Sequence, residues 1–145
     1  MTQDARAISW DSIPTRIGQS VNPAISAASV MVYTVPAKMK AKLVALDCTY
    51  VRDATGGNVY FVIAITDGTP AGRSAAICVN PMTANVTWIV SMGIGVAQAT
   101  ILDRIVGALP DLPLAEGWIV TAYFVNDTAG DDAGPVRYTV KECPA

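Results

Sequence analysis

From residue 29 to the end, apolar positions recur with a period of two, in short runs broken by Gly, Pro, Asn and Asp. Alternation of this kind marks strands, whose successive side chains point to opposite faces. The runs predict strands at 29–35, 40–52, 59–66, 74–79, 85–92, 99–106, 117–126 and 136–142. The second is long enough to bend or bulge midway. Asp53-Ala54-Thr55-Gly56-Gly57-Asn58 is a turn by its Gly and Asx content, so the runs on either side read as a hairpin. The run 99–106 also admits a short helix. About eight strands without an interleaved helical pattern predict an all-β, antiparallel fold, a β-sandwich or a barrel.

The phase of the alternation locates the core. Val136, Tyr138 and Val140 face one way, and Arg137, Thr139 and Lys141 face the other, which predicts a strand with one wet face. The run 59–65 is apolar on both faces: Val59, Phe61, Ile63 and Ile65 oppose Tyr60, Val62 and Ala64. In 118–125, Trp118, Val120, Ala122 and Phe124 oppose Ile119, Thr121, Tyr123 and Val125. Strands apolar on both sides need cover on both sides. In a two-layer fold the second cover must come from an arm, a loop or another subunit, and the arm at 10–25 is the obvious candidate, in its own chain or by exchange between subunits.

The first 28 residues read differently. Trp10, Ile13, Ile17, Val21 and Ile25 are spaced as on a helix, but Pro14, Gly18 and Pro23 interrupt every possible turn. The segment reads as an extended arm with room for one short strand. The division is therefore an arm at 1–28 and a β domain at 29–145. The arm cannot bury Trp10 alone, so the stretch 10–25 is expected to lie across its own domain or a neighbour.

Composition sharpens this picture. The chain has 145 residues, 52% hydrophobic and only 15% charged. Soluble domains carry about 25% charged residues. The shortfall predicts surface covered by partners or by copies of the chain. A net charge of −2 argues against sequence-independent nucleic-acid binding, which needs a basic field. The stretch 86–102 is the most apolar, but Gly93, Gly95, Gln98 and Thr100 punctuate it like two strands, so no membrane span is expected. Met1-Thr2-Gln3-Asp4-Ala5-Arg6 shows no apolar leader.

Histidine is absent, which removes the commonest general base and metal ligand, so no catalytic residue, metal or cofactor is expected. Carboxylates are the remaining catalytic option. Asp47, Asp53 and Asp67 are placed at or near strand ends and Asp103 within a strand, but nothing in their spacing selects a pair. Asn126, Asp127, Asp131 and Asp132 share one loop without the spacing of a calcium motif. Cys48, Cys78 and Cys143 fit neither a zinc pattern nor a disulfide framework. Cys48 and Cys78 lie among apolar strand residues and read as buried thiols, whereas Cys143 lies near the end, where either exposure or burial fits.

The residues left for binding are on the arm and at the start of the long strand. Lys38, Lys40 and Lys42 form a same-face stripe, suited to an acidic partner or to protecting a sheet edge. Arg6 and Arg16 are placed to pair with acids. Trp88 and Trp118 run in phase with the core, whereas Trp10 has none nearby and reads as an interface anchor, flanked by Ile13 and Ile17.

The run Val32-Tyr33-Thr34-Val35-Pro36-Ala37-Lys38 resembles the opening strand and turn of phage jelly-roll proteins that decorate or cement capsids. That pattern commonly has Gly and then a basic residue after Pro-Ala; Lys38 stands in the glycine's place. The ending is similar too. Leu112-Pro113-Leu114 leads through Glu116-Gly117 into a strand at 118–125, an acidic Gly-rich loop, and a last strand at Tyr138-Thr139-Val140. The resemblance implies a non-enzymatic jelly roll, made in the host cytoplasm, on the exterior of a virion capsid. It would cement neighbouring copies of the major capsid protein. It implies a homo-oligomer, a trimer ahead of a dimer, with the arm reaching onto capsid or sister subunits. The other reading of such a domain is a receptor- or carbohydrate-binding module of a head or tail fibre, with Tyr50, Tyr60 or Tyr123 at its site.

Overall fold

A computed structural model describes residues 9–22, 30–69, 74–128 and 130–145. Its spine is one long strand, β3 (Met39–Val51), which alternates buried and exposed side chains but changes phase midway. Ala41 and Leu43 face the core, and so do Leu46, Cys48 and Tyr50. The phase change is a bulge. Val140 of β12 (Arg137–Pro144) pairs with Leu43, and the next residue back, Thr139, pairs with Ala45, so Val44 is the extra residue. Without it Leu46 would point outward. The bend expected midway along this strand is this bulge.

β3 anchors an eight-stranded sheet, in the order β1 (Thr15–Gln19), β12, β3, β6 (Thr87–Ile94), β8 (Arg104–Leu109), β7 (Ala99–Ile101). Two short strands, β9 (Pro113–Leu114) and β11 (Asp132–Ala133), also pair with β3. A four-stranded sheet has the order β2 (Val30–Thr34), β10 (Ile119–Val125), β4 (Tyr60–Thr66), β5 (Ser74–Cys78). The described residues contain one 3₁₀ turn, Trp10–Ser12, and no α-helix.

Inner faces of both sheets supply a single buried cluster. Tyr50 of the larger sheet stacks on Phe124 of the smaller at 4.8 Å, and Phe61 tilts onto Phe124 at 5.3 Å. Such pairs add about 0.5–1.5 kcal/mol each beyond the area they bury. Trp88 is buried and donates its indole N–H to the Thr83 carbonyl; Trp118 packs against the same cluster half-buried.

The strand reading needs three corrections. The run 99–106 is neither one strand nor a helix but a hairpin, β7 and β8, joined at Leu102-Asp103. Leu102 takes a left-handed φ of 55°, which no Gly or Asn announced. Second, β8 lies parallel to β6 because the chain passes outside it and returns between, so the sheet is not wholly antiparallel. Third, the strand expected at 85–92 is shifted: β6 runs from Thr87 to Ile94, through Gly93. With β1, β9 and β11 the described strands number twelve, where about eight were expected.

Candidate functional site

The arm is docked on its own domain. β1 pairs antiparallel with β12, from Thr15 opposite Lys141 to Gln19 opposite Arg137. Gly18 is required at its place: a Cβ there would land on the Tyr138 phenol ring. Two residues earlier, Arg16 reaches Glu142, with its Nη2 donating at 2.6 Å and its Nε at 3.3 Å. Tyr33 of the opposite sheet donates its hydroxyl to the same carboxylate at 2.6 Å. One carboxylate thus joins the arm, the larger sheet and the smaller. The hydrogen bonds from Arg16 lead in holding the Glu142 carboxyl below its ordinary range; Tyr33 adds to them against the cost of burial. Burial, then the Glu142 contact, pushes the Tyr33 phenol above its ordinary value.

On the outer face of the same sheet, the Trp10 ring lies over two ammonium groups, Lys42 at 5.3 Å and Lys40 at 6.0 Å. Lys42 also pairs with Asp111 at 2.6 Å, and Lys141 donates to the Trp10 carbonyl at 2.8 Å. Lys40, Lys42 and Lys141 share this face because Lys42 pairs with Lys141 and Lys40 with Cys143. Cys143 points outward in this register yet is only 5% exposed, as expected for a side chain beneath the arm. Trp10, read as an anchor on a partner, is thereby placed on its own sheet. Lys38 leaves the expected stripe: it sits in the turn before β3, at a left-handed φ of 61°. Ile13, half-buried, closes the 3₁₀ turn through its N–H on the Trp10 carbonyl. Ile17 points outward and is exposed. Arg6 lies outside the described residues.

The acidic loop is closed by the protein itself. Arg52 and Asp131 form an ion pair at 3.2 Å with both side chains 0% exposed. Asp131 also accepts from the Asp53 and Thr128 amides at 2.9 and 3.0 Å and from the Tyr50 hydroxyl at 3.2 Å. Burial alone would raise its carboxyl; the two amides and the guanidinium outweigh that and hold it below its ordinary value. The remaining Arg52 donors go to the carbonyls of Thr55, Gly57 and Met82. Among the described residues no group of three His, Cys, Asp or Glu side chains is arranged to hold a metal.

The candidate carboxylates are not brought into a common cleft by their contacts. Asp47 lies inside β3 rather than at its end, and pairs with Arg137 at 2.7 Å. Asp53 receives Thr55 and Thr128, and Asp67 receives Thr69. Asp103 sits in the β7–β8 turn rather than within a strand. A cavity of about 370 Å³, lined by Gln19, Asp47, Thr49, Gly134, Pro135 and Arg137, opens beside β1.

The smaller sheet turns a different face outward. Tyr123 lies opposite Val62, which lies opposite Cys78; Val125 lies opposite Tyr60. Thr121 stands between Met31 and Ala64, and Ile119 between Thr34 and Thr66. No residue of these rows is charged. Of the three tyrosines considered for a glycan site, Tyr50 is fully buried, and Tyr60 and Tyr123 are diagonal neighbours on this face. Cys48 is buried as expected, with burial leading and Asp47 assisting in pushing its thiol up to about 12; Cys78, expected to be buried, is exposed, and Cys143 is buried. Met31 and Leu102 were not anticipated, since neither stands out from its neighbours by residue type. Among the described residues no helix is long and apolar enough to cross a membrane. No family model, curated protein or solved structure matches this chain.

Proposed function

We propose that this chain is a non-enzymatic structural protein of a virion, bound to the outside of a phage capsid, where it ties neighbouring copies of the major capsid protein together. In this reading it is a homo-oligomer of jelly-roll domains that does its work by contact area. One observation carries the proposal: among the described residues eight large apolar side chains stand in solvent, while Asp47, Asp111, Asp131 and Glu142 are paired within the chain. Val21 is 77% exposed and Ile17 74% on the arm, and Leu102 is 90% exposed at the tip of the β7–β8 hairpin. A bulky apolar residue held in solvent at a left-handed φ favours a contact role over a structural one. The jelly-roll likeness is supported by a chain that passes repeatedly between the two sheets, as at β2–β3, β3–β4, β5–β6 and β10–β12.

The arm enters this proposal in a revised form. Its inner side, with Arg16 and Trp10, is engaged by its own sheet. Its outward side chains, Ile17 and Val21, and the Leu102 tip are assigned to the capsid. The test has two parts. Mass spectrometry of purified virions should find the chain at many copies per particle. Binding to undecorated shells should be lost with Ile17→Asp and with Leu102→Asp, which alter exposed positions and leave the fold intact. Absence from particles, or full occupancy by both variants, would sink the reading.

A further inference from the structure

The outer face of the four-stranded sheet is a continuous uncharged surface on a protein whose other outer face is rich in ion pairs. Met31 is 60% and Val125 43% exposed there, with Cys78 open beside Val62 and Tyr123. The part of the arm that is described lies on the other sheet and leaves this one bare. We infer that a second copy of this chain docks here, sheet face against sheet face, about a twofold axis.

Three physical points select a second copy. First, a charged partner would lose its hydration against a face that offers no countercharge, and breaking such charges away from water costs several kcal/mol. A copy of the same face brings none. Second, a twofold axis sets apolar rows against apolar rows, and Tyr60 and Tyr123 supply rings that are large, rigid and able to keep a hydroxyl wet. Third, the area suffices. Four strands about 4.8 Å apart and five to seven residues long at about 3.4 Å each give roughly 400 Å² of flat sheet per copy. Two copies give about 800 Å², and the relief of the side chains brings this toward the range of specific interfaces, which begins near 1,200 Å². Stacked sheets of this kind pack about 10 Å apart.

The inference stands whether or not the partner is a capsid, because it is measured on the purified chain alone. Cys78 is the one exposed thiol of the three cysteines, so maleimide labelling of folded protein reports on this face. Sedimentation from about 1 to about 100 μM should show a monomer–dimer equilibrium, with Cys78 labelling slowed about tenfold or more as the dimer fills. Val62→Lys should give a monomer labelled rapidly at every concentration, with unchanged circular dichroism. Should Val62→Lys fail to fold, Val125→Lys at a more exposed position of the same face decides. A wild type that stays monomeric at about 100 μM, or a dimer that survives the lysine with Cys78 still protected, overturns the inference. So does a trimer in which Cys78 labels freely.

Discussion

The two outward faces of this protein are built from similar strands and treated in opposite ways. The larger sheet shows water Lys40, Lys42, Lys141, Asp47 and Arg137, and lays its own arm across part of that face. The smaller sheet shows Tyr60, Val62, Tyr123 and Val125 and has no charge at all in these rows. Among the described residues the charged face receives cover from the arm, and the apolar face, which gains more from being covered, receives none. The difference teaches where each kind of contact is made. Ionic and cation–π contacts fasten the arm at modest cost in surface, since pairs of this sort are worth about 1 kcal/mol or less each when exposed. Area-driven contacts are left for another molecule.

Three cysteines report on this comparison without any engineering. Cys143 lies on the covered outer face, Cys48 in the core between the sheets, and Cys78 on the bare face. The largest expected effect ignores the distinction. Asp131 sits where the chain crosses from β10 in the smaller sheet to β11 in the larger, and its removal leaves Arg52 charged and dry. Asp131→Asn should cost about 3–5 kcal/mol, the usual result of breaking one partner of a buried pair. Urea titration should show this as a fall in midpoint, with Cys48 and Cys143 becoming reactive together. Loss of protection at Cys143 alone would mean that the closure serves only one face.

Glu142→Ala should separate the faces. It strands the buried Tyr33 hydroxyl, which costs about 1–3 kcal/mol, and frees Arg16, which is half in solvent and adds little. The expected loss is about 2 kcal/mol, with labelling appearing at Cys143 before Cys48. The same carboxylate makes the arm sensitive to acid. Its folded pKa is lowered, so its contribution is complete above the unfolded value of about 4.3 and is lost as pH falls through the folded value. The gap in melting temperature between wild type and Glu142→Ala should therefore close below about pH 4. A gap that stays constant to pH 2 would remove Glu142 as the acid-sensitive latch.

Much of this architecture is legible in the alternation of residues, and the exceptions have physical causes. Strands β2 to β6, β10 and β12 follow directly from period-two runs. The two-sided apolar pattern of 59–65 and 118–125 puts apolar side chains on the outside of the smaller sheet, but the arm expected to cover them joins the larger sheet through β1 instead. Which element covers which face is not legible, because it depends on long-range register. Trp10 meets Lys40 and Lys42 only because β12 pairs with β3 there, and the core beyond them depends on the Val44 bulge. The same dependence leaves Cys78 exposed where burial was expected, and buries Cys143. The β7–β8 turn escaped because Leu102 and Asp103 are not the residues that two-residue hairpins favour.

Trp10→Ala tests the cover itself with a smaller effect. The ring contributes two cation–π contacts, about 0.5–1 kcal/mol each at exposed sites, and Lys42 keeps Asp111 afterwards. A loss of about 1 kcal/mol is expected, with Cys143 labelled and Cys78 unchanged. If Cys143 stays protected in this variant, something other than the 3₁₀ turn shields it, and the covered face is covered by more than the arm.

The smallest effect concerns the boundary between the faces. Lys38 belongs to the turn that carries the chain from β2 in one sheet to β3 in the other, and it holds φ at 61°. For an L-residue this costs about 1–2 kcal/mol, and glycine would relieve it while losing about 0.5–1 kcal/mol of unfolded-state advantage. Lys38→Gly should therefore stabilise the protein by about 0.5–1 kcal/mol, while Lys38→Ala, which removes the same charge but keeps the strain, should be near neutral. Both variants delete the ammonium, so the pair separates backbone from charge. Were Lys38→Ala to expose Cys143 as Trp10→Ala does, Lys38 would belong to the ionic face after all; a gain confined to glycine makes it a strained hinge point between two faces that work independently.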